Sequence, residues 1–236
     1  MSIAENVTFI RSQMDQAARA AGRDPAGIQL CAATKMNDAQ AVRDAIAAGI
    51  DCCGENRVQE LTEKQKQDAY HGAPVHFIGH LQTNKVKQVV GKVDIIQSVD
   101  SLRLLKAIQN EAAKQNIRQK ILLEINIGNE QSKSGLLPEE IPQVLENMGL
   151  YPNVCVKGLM AIPPISQKNG DNVKYFQKMF QLYVDIKGKK YDNVMVDCLS
   201  MGMSNDFVDA INCGATMIRV GTAIFGPRDY AVIHQP

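Results

Sequence analysis

The sequence predicts a single (β/α)8 barrel of the TIM type with an extra N-terminal helix, on three observations. Eight short apolar runs alternate with longer stretches of helical periodicity along the chain. The runs are apolar at consecutive positions, as in strands buried on both faces of a parallel sheet. No Pro/Gly/Ser-rich linker divides the 236 residues, a length that suits one such barrel, so residues 1–236 are expected to form one domain. An open doubly wound sheet is the competing arrangement. It would usually stop at fewer strands and would show a glycine fingerprint after the first, which is absent.

In chain order, an amphipathic helix over Ile3–Ala21 is stopped by Gly22. The first strand, Ile28–Lys35, runs through Leu30, Cys31, Ala32, Ala33 and the Thr34 methyl and ends at one lysine. Asn37 is the expected N-cap of a helix from Asp38 to Ala48, with Gln40 at the third helical position and Gly49 as its stop. The remaining strands are expected at Ile50–Gly54, Val75–Gly79, Val93–Ser98, Ile121–Ile127, Val154–Met160, Val194–Ser200 and Met217–Gly221. Between them Val58–Asp68, Asn84–Val90, Ser101–Gln115, Pro138–Met148, Val173–Ile186 and Ser204–Asn212 are long enough for helices. Pro138 suits a first helical position with Glu139 and Glu140 in the first turn, and Gly149, Gly188 and Gly214 stand just past helix ends.

Twenty-six Lys and Arg against 25 Asp and Glu leave a net charge of +1, which excludes the summed positive field of a nucleic-acid binder. Any basic site must be local. No apolar run has the length of a membrane span. Glu5, Arg11 and Asp15 interrupt the opening stretch, so it lacks the apolar centre of a signal peptide. The six cysteines lack the short paired spacing of a zinc site or a disulfide scaffold; they read as reduced core residues of a cytoplasmic protein, with no metal expected.

Chemistry in a parallel barrel belongs to the carboxyl ends of the strands, where the loops converge on one mouth. Read off in turn, those ends supply Lys35; Gly54, Glu55, Asn56 and Arg57; Gly79, His80 and the run Gln82 to Lys85; then Asn126, Glu130 and Lys133. Strand seven runs into Ser200-Met201-Gly202-Met203-Ser204, hydroxyls with a glycine ahead of a helix, and strand eight into Gly221-Thr222; loops seven and eight are this barrel's usual phosphate site. Arg219 interrupts an apolar strand between Ile218 and Val220, so it faces inward with Gly221. A buried guanidinium cannot lose its proton and needs a carboxylate, a carbonyl or a ligand atom. An internal salt bridge and the ring nitrogen of a pyridine cofactor are both open partners.

Together these features resemble the pyridoxal 5'-phosphate barrels. More narrowly, the chain resembles the pyridoxal phosphate homeostasis proteins, whose barrel is similar to the alanine racemase N-terminal domain. The resemblance runs from Ile28 to Tyr230. It is carried by Ala33-Thr34-Lys35, Gly54-Glu55-Asn56-Arg57-Val58-Gln59-Glu60, the run His76 to Lys85, Lys133-Ser134-Gly135, Gly158 to Pro163, Leu199 to Ser204 and Arg219 to Gly226. It implies that Lys35 forms an aldimine with pyridoxal phosphate, that Arg219 faces the pyridine nitrogen, that Asn56 contacts the cofactor, and that Ser200, Gly221 and Thr222 hold its phosphate. It further implies a monomeric carrier that buffers the cofactor or delivers it to apoenzymes, without significant catalytic turnover. An arginine partner leaves the pyridine nitrogen unprotonated and the ring a poor electron sink, which disfavours transamination and decarboxylation. The alternative is an amino-acid racemase of the same barrel class. Racemisation needs a second base on the opposite face, which similar racemases take from a further domain, and a chain of this length is not expected to contain one. A Schiff-base aldolase acting through Lys35 is a third reading, in which Arg219 has no task.

Overall fold

The computed structural model describes residues 1–130, 132–164 and 170–226. Eight parallel strands close into a barrel in chain order: β1 (Gln29–Ala33), β2 (Cys52–Glu55), β3 (Val75–Phe77), β4 (Ile95–Val99), β5 (Gln119–Ile125), β6 (Val154–Ala161), β7 (Val194–Ser200) and β8 (Met217–Val220), which pairs back onto β1. The expected (β/α)8 barrel with a leading helix is therefore the fold found. Residues 227–236, which include the end of the expected single domain and of the family resemblance, lie outside the described residues.

The leading helix α1 (Ile3–Ala20) begins with a reciprocal cap: the Ser2 hydroxyl accepts from the Glu5 amide, and the Glu5 carboxylate accepts from the Ser2 amide at 2.7 Å. Val7, Ile10, Met14, Ala17 and Ala18 give it one buried stripe. It lies across the seam where β8 meets β1, with the Asn6 side-chain amide donating to the Ile224 carbonyl at 2.8 Å. The other helices are α2 (Ala39–Ala47), α3 (Val58–Lys66), α4 (Leu102–Lys114), α5 (Ile141–Glu146), α6 (Val173–Lys187), α7 (Phe207–Asn212) and a short α8 (Thr222–Phe225).

Several local expectations are corrected. Asp38, not Asn37, caps α2, its carboxylate accepting from the Ala41 amide; Asn37 instead turns its amide back to the carbonyls of Thr34 and Lys35. Gln40 takes no part in that cap and donates to Asp44. The stretch expected as a helix after β3 is a 3-10 segment, Thr83–Gln88, and a 3-10 turn over Pro138–Glu140 precedes α5, where the Glu140 carboxylate caps the Leu137 amide. Strand β1 ends two residues before Lys35.

Strand residues alternate between two cores. Leu30, Ala32, Cys53, Phe77, Ile96, Ile121, Leu123, Leu199, Ile218 and Val220 pack outward among the helices, while Cys31, Cys52, Ile78, Leu122, Met160, Cys198 and Met217 form a separate cluster inside the barrel. The interior also holds the buried polar side chains of His76, Gln97, Ser200 and Arg219. It also admits no side chain at Gly158, where the β6–β7 register shifts, the backbone sits at φ +149° and a Cβ would collide with the Cys198 carbonyl oxygen. Gly158→Ala is therefore expected to cost more than about 4 kcal/mol in urea unfolding, the range reserved for severe clashes. Gly22→Ala, at φ +67° with open space around it, should cost only about 1–2 kcal/mol.

Candidate active site

The residues expected at the mouth divide into a rim and a floor. Lys35 is half-buried and follows Thr34, whose side chain is fully buried. The chain turns sharply after it: Met36 has φ +63°, an uncommon left-handed conformation for a residue with a Cβ, and its amide is held by the Glu60 carboxylate at 2.7 Å. Asn56 follows β2, packed under the backbone of Gly79. Its Oδ1 is buried and, among the described residues, accepts no hydrogen bond. Gly221 sits against β1, where a Cβ would come within 3.3 Å of the Ala33 Cβ, and it caps α8 with the exposed Thr222 following. Lys35, Asn56, Gly221 and Thr222 thus share the rim over β1, β2 and β8. Further round, His80 meets Asp100 at 3.0 Å, and Lys133 donates to the Pro163 carbonyl at 3.2 Å.

Behind Lys35 stands a buried ionic group. The Lys64 ammonium, on α3, donates to the Thr34 carbonyl and to Glu55 Oε1, each at 2.7 Å. The Thr34 hydroxyl and the Tyr70 phenol donate to the same carboxylate oxygen at 2.6 and 3.2 Å. Burial, followed by the Glu55 charge, pushes the Tyr70 phenol upward, so it remains a donor. The pair is almost wholly desolvated, its two side chains 7% and 0% exposed, and it fixes the peptide that leads into Lys35.

The floor is Arg219, inward-facing as expected and buried. Neutral acceptors hold its guanidinium: the Ser200 hydroxyl at 2.6 Å and the Ala161 carbonyl at 2.8 Å. Ser200, expected at the phosphate, is fully buried and spends its hydroxyl differently, accepting from Arg219 and donating to Gln97 Oε1 at 2.7 Å. Gln97 Nε2 then donates to His76 Nδ1 at 2.8 Å. An amide oxygen can only accept and an amide nitrogen only donate, so with Gln97 placed this way Ser200 donates to Oε1, and His76 Nδ1 accepts from Nε2 and carries the lone pair, its proton on the other ring nitrogen. Burial lowers the His76 pKa to about 4, so the ring is neutral at pH 7.

Sequence reasoning did not single out Gln97, His76 or Glu124 as interior groups. Each interrupts an apolar strand, the signal that exposed Arg219. Glu124 is buried on β5, and burial, with the Asp100 charge adding and Arg219 and His80 opposing, raises its carboxyl pKa from 4.5 to about 7.

Two measurements test this electrostatic picture. Glu124 binds its proton more tightly when folded, so its contribution to stability is full below about pH 4.5 and is lost as pH rises through about 7. Glu124→Gln should remove that component, leaving unfolding free energy flatter between pH 5 and 8 (~) and higher than wild type at alkaline pH. Lys64→Met should cost about 3–5 kcal/mol by leaving Glu55 buried and unpaired, and Glu55→Gln added to it should restore part of the loss.

The chain has known relatives. The family described as "Alanine racemase, N-terminal domain" matches residues 5–229. A pyridoxal phosphate homeostasis protein of Aquifex aeolicus is 40% identical over 230 residues, covering 98% of this chain and 100% of that one. Among solved structures, an unknown protein from Bifidobacterium adolescentis superposes with a TM-score of 0.88 at 33% identity, covering 94% of each chain. PipY of Synechococcus elongatus, solved with pyridoxal phosphate bound, gives a TM-score of 0.79 at 32% identity over 95% of this chain and 100% of that one. With agreement of this extent in sequence and in fold, the chain belongs to the family of the pyridoxal phosphate homeostasis proteins.

Proposed function

We propose that the barrel mouth binds pyridoxal 5'-phosphate through Lys35 and that the protein buffers the cofactor inside the cell and hands it to apoenzymes. The observation that carries this reading is the pairing of a rim lysine, on a peptide clamped by Lys64 and Glu55, with a buried cationic donor two strand positions below Gly221. The site passes a simple test of fit. Asn56 Oδ1 is a buried acceptor without a partner among the described residues, and Gly221 leaves clear a space a Cβ would crowd.

Pyridoxal phosphate, when bound, supplies an aldehyde that condenses reversibly with a lysine amine. Lys35 would provide that amine, Asn56 a polar contact, Gly221 and Thr222 the phosphate contacts, and Arg219 the hydrogen bond to the pyridine nitrogen. Ser200 contributes through Arg219, whose guanidinium it holds in place, and its own hydroxyl is already committed to that task. Arg219 stays protonated and can only donate, so it leaves the ring nitrogen unprotonated and favours holding the cofactor over turning substrates over. Each proposed contact comes from one chain, which suits a monomer. The cysteines are all free and, among the described residues, no helix is long and apolar enough to cross a membrane, features that suit the cytoplasm.

Lys35→Ala should keep its circular dichroism and lose the visible absorption band of the bound cofactor; a band of wild-type intensity would remove Lys35 from the role. Arg219→Glu should retain binding with the spectrum shifted toward a protonated ring. Wild-type protein loaded with pyridoxal phosphate should restore activity to an apoenzyme that needs it and show no significant amino-acid racemisation. Robust racemisation without restoration would favour the racemase reading.

A further inference from the structure

Beneath the mouth, on β1 to β3, two thiols and an imidazole converge, with Cys31 the register partner of Arg219. Cys31 on β1 and Cys52 on β2 are register partners in adjacent parallel strands, and both point inward. His76 follows on β3, and Cys52 Sγ lies 3.6 Å from His76 Nδ1. The three candidate ligand atoms all fall within 4.8 Å of one another, and all three residues are buried. With zinc–sulfur and zinc–nitrogen bonds of about 2.3 and 2.0–2.1 Å, a tetrahedral ion sets its sulfur and nitrogen ligands about 3.6 Å apart and two sulfurs about 3.8 Å apart. The sulfur–nitrogen edge is already at that length.

Three further features favour a ligand over a mere packing of small residues. His76 Nδ1 is an unprotonated acceptor, taking a hydrogen bond from Gln97 with Cys52 Sγ 3.6 Å away, and an unprotonated nitrogen is what a metal ligand requires. Gly54, above the pair, keeps the space open: a Cβ there would lie 2.9 Å from Cys31 Sγ. Two thiolates also cancel a divalent charge, so the complex adds no net charge to an interior that already holds the buried Arg219 beside Cys31.

We propose that Cys31, Cys52 and His76 form a binding site for a thiophilic divalent ion, zinc, inside the barrel. Both thiols lose their protons on binding, so one zinc enters as two protons leave, and no electron is transferred. Gln97 adjoins the site: its Nε2 lies 2.8 Å from His76 Nδ1 and 3.1 Å from Met217 Sδ, and its hydrogen bond to His76 is given up when the metal takes that lone pair. Three protein ligands leave the fourth tetrahedral position to water. Because the ligands are enclosed, the ion enters as the barrel folds.

The test needs no pyridoxal phosphate. The full chain is refolded with zinc under reducing conditions, desalted, and its metal measured by mass spectrometry beside Cys31→Ser/Cys52→Ser and Cys155→Ser/Cys213→Ser. One zinc per chain is expected in wild type and in the Cys155/Cys213 variant, with at least a tenfold loss in the Cys31/Cys52 variant. Refolding of wild type with cobalt should give the thiolate-to-cobalt charge-transfer band and the visible bands of tetrahedral coordination, a readout that survives if the variants fail to fold. Absence of that band from correctly folded wild type, or equal zinc in wild type and a folded Cys31/Cys52 variant, overturns the site. So does a Cys31–Cys52 disulfide in place of bound metal.

Discussion

One permanently charged group sits inside the barrel, and much of the interior is arranged around it. Arg219 is buried, and burial pulls its pKa down without bringing deprotonation within reach at neutral pH. Its environment must therefore accept. The Ala161 carbonyl and the Ser200 hydroxyl do so, and the second acceptor passes the requirement on, because a serine that accepts from arginine has its own proton to place. Gln97 Oε1 accepts that hydrogen bond, and its Nε2 donates on to His76 Nδ1. Residues from β3, β4, β6 and β7 are thereby joined to one side chain in a single hydrogen-bonded network.

The nearby wall of β1 and β2 obeys a different constraint. Glu55 and Lys64 are desolvated together, and such a pair is seldom stabilising against an apolar replacement, though breaking one half is costly. What it does here is geometric. Lys64 Nζ reaches the Thr34 carbonyl, Thr34 Oγ1 reaches Glu55, and the next residue is Lys35. With Glu60 holding the Met36 amide, the peptides on both sides of Lys35 are tied to the α3 side of the barrel. The backbone at Lys35 is thus held on both sides, and the residue itself is half-buried.

How much of this was legible depends on the kind of signal. Lys35 and Arg219 stood out because a charge in an apolar strand has few explanations, and the period of two placed Arg219 inside. Gln97, His76 and Glu124 break their strands in the same way, yet a neutral amide or imidazole is readily taken for an ordinary polar core residue. Lys64 was invisible: among Glu60, Glu63 and Lys66 it reads as the solvated face of α3, and only the fold brings Glu55 beneath it. The local misreadings had local causes. Asp38 outcompeted Asn37 for the cap, and the stretch after β3 settled as a 3-10 segment where full helical turns were expected. Ser200 was correctly placed at the end of β7, but its partners come from β8 and β4 and could not be read from its neighbours in sequence.

The seam between β8 and β1 has a consequence in time. Lys35 follows the first strand, Arg219 lies on the last with Gly221 just after it, and the two groups become neighbours only when Cys31 pairs with Arg219 and Ala32 with Val220. Such non-local pairing is slow, and α1 waits through it, since its contact with Ile224 needs residues made last. A ribosome-bound chain lacking β8 has the lysine without its pocket. The pocket proposed between these two strands is thus completed only when the ring has shut, late in the life of each molecule.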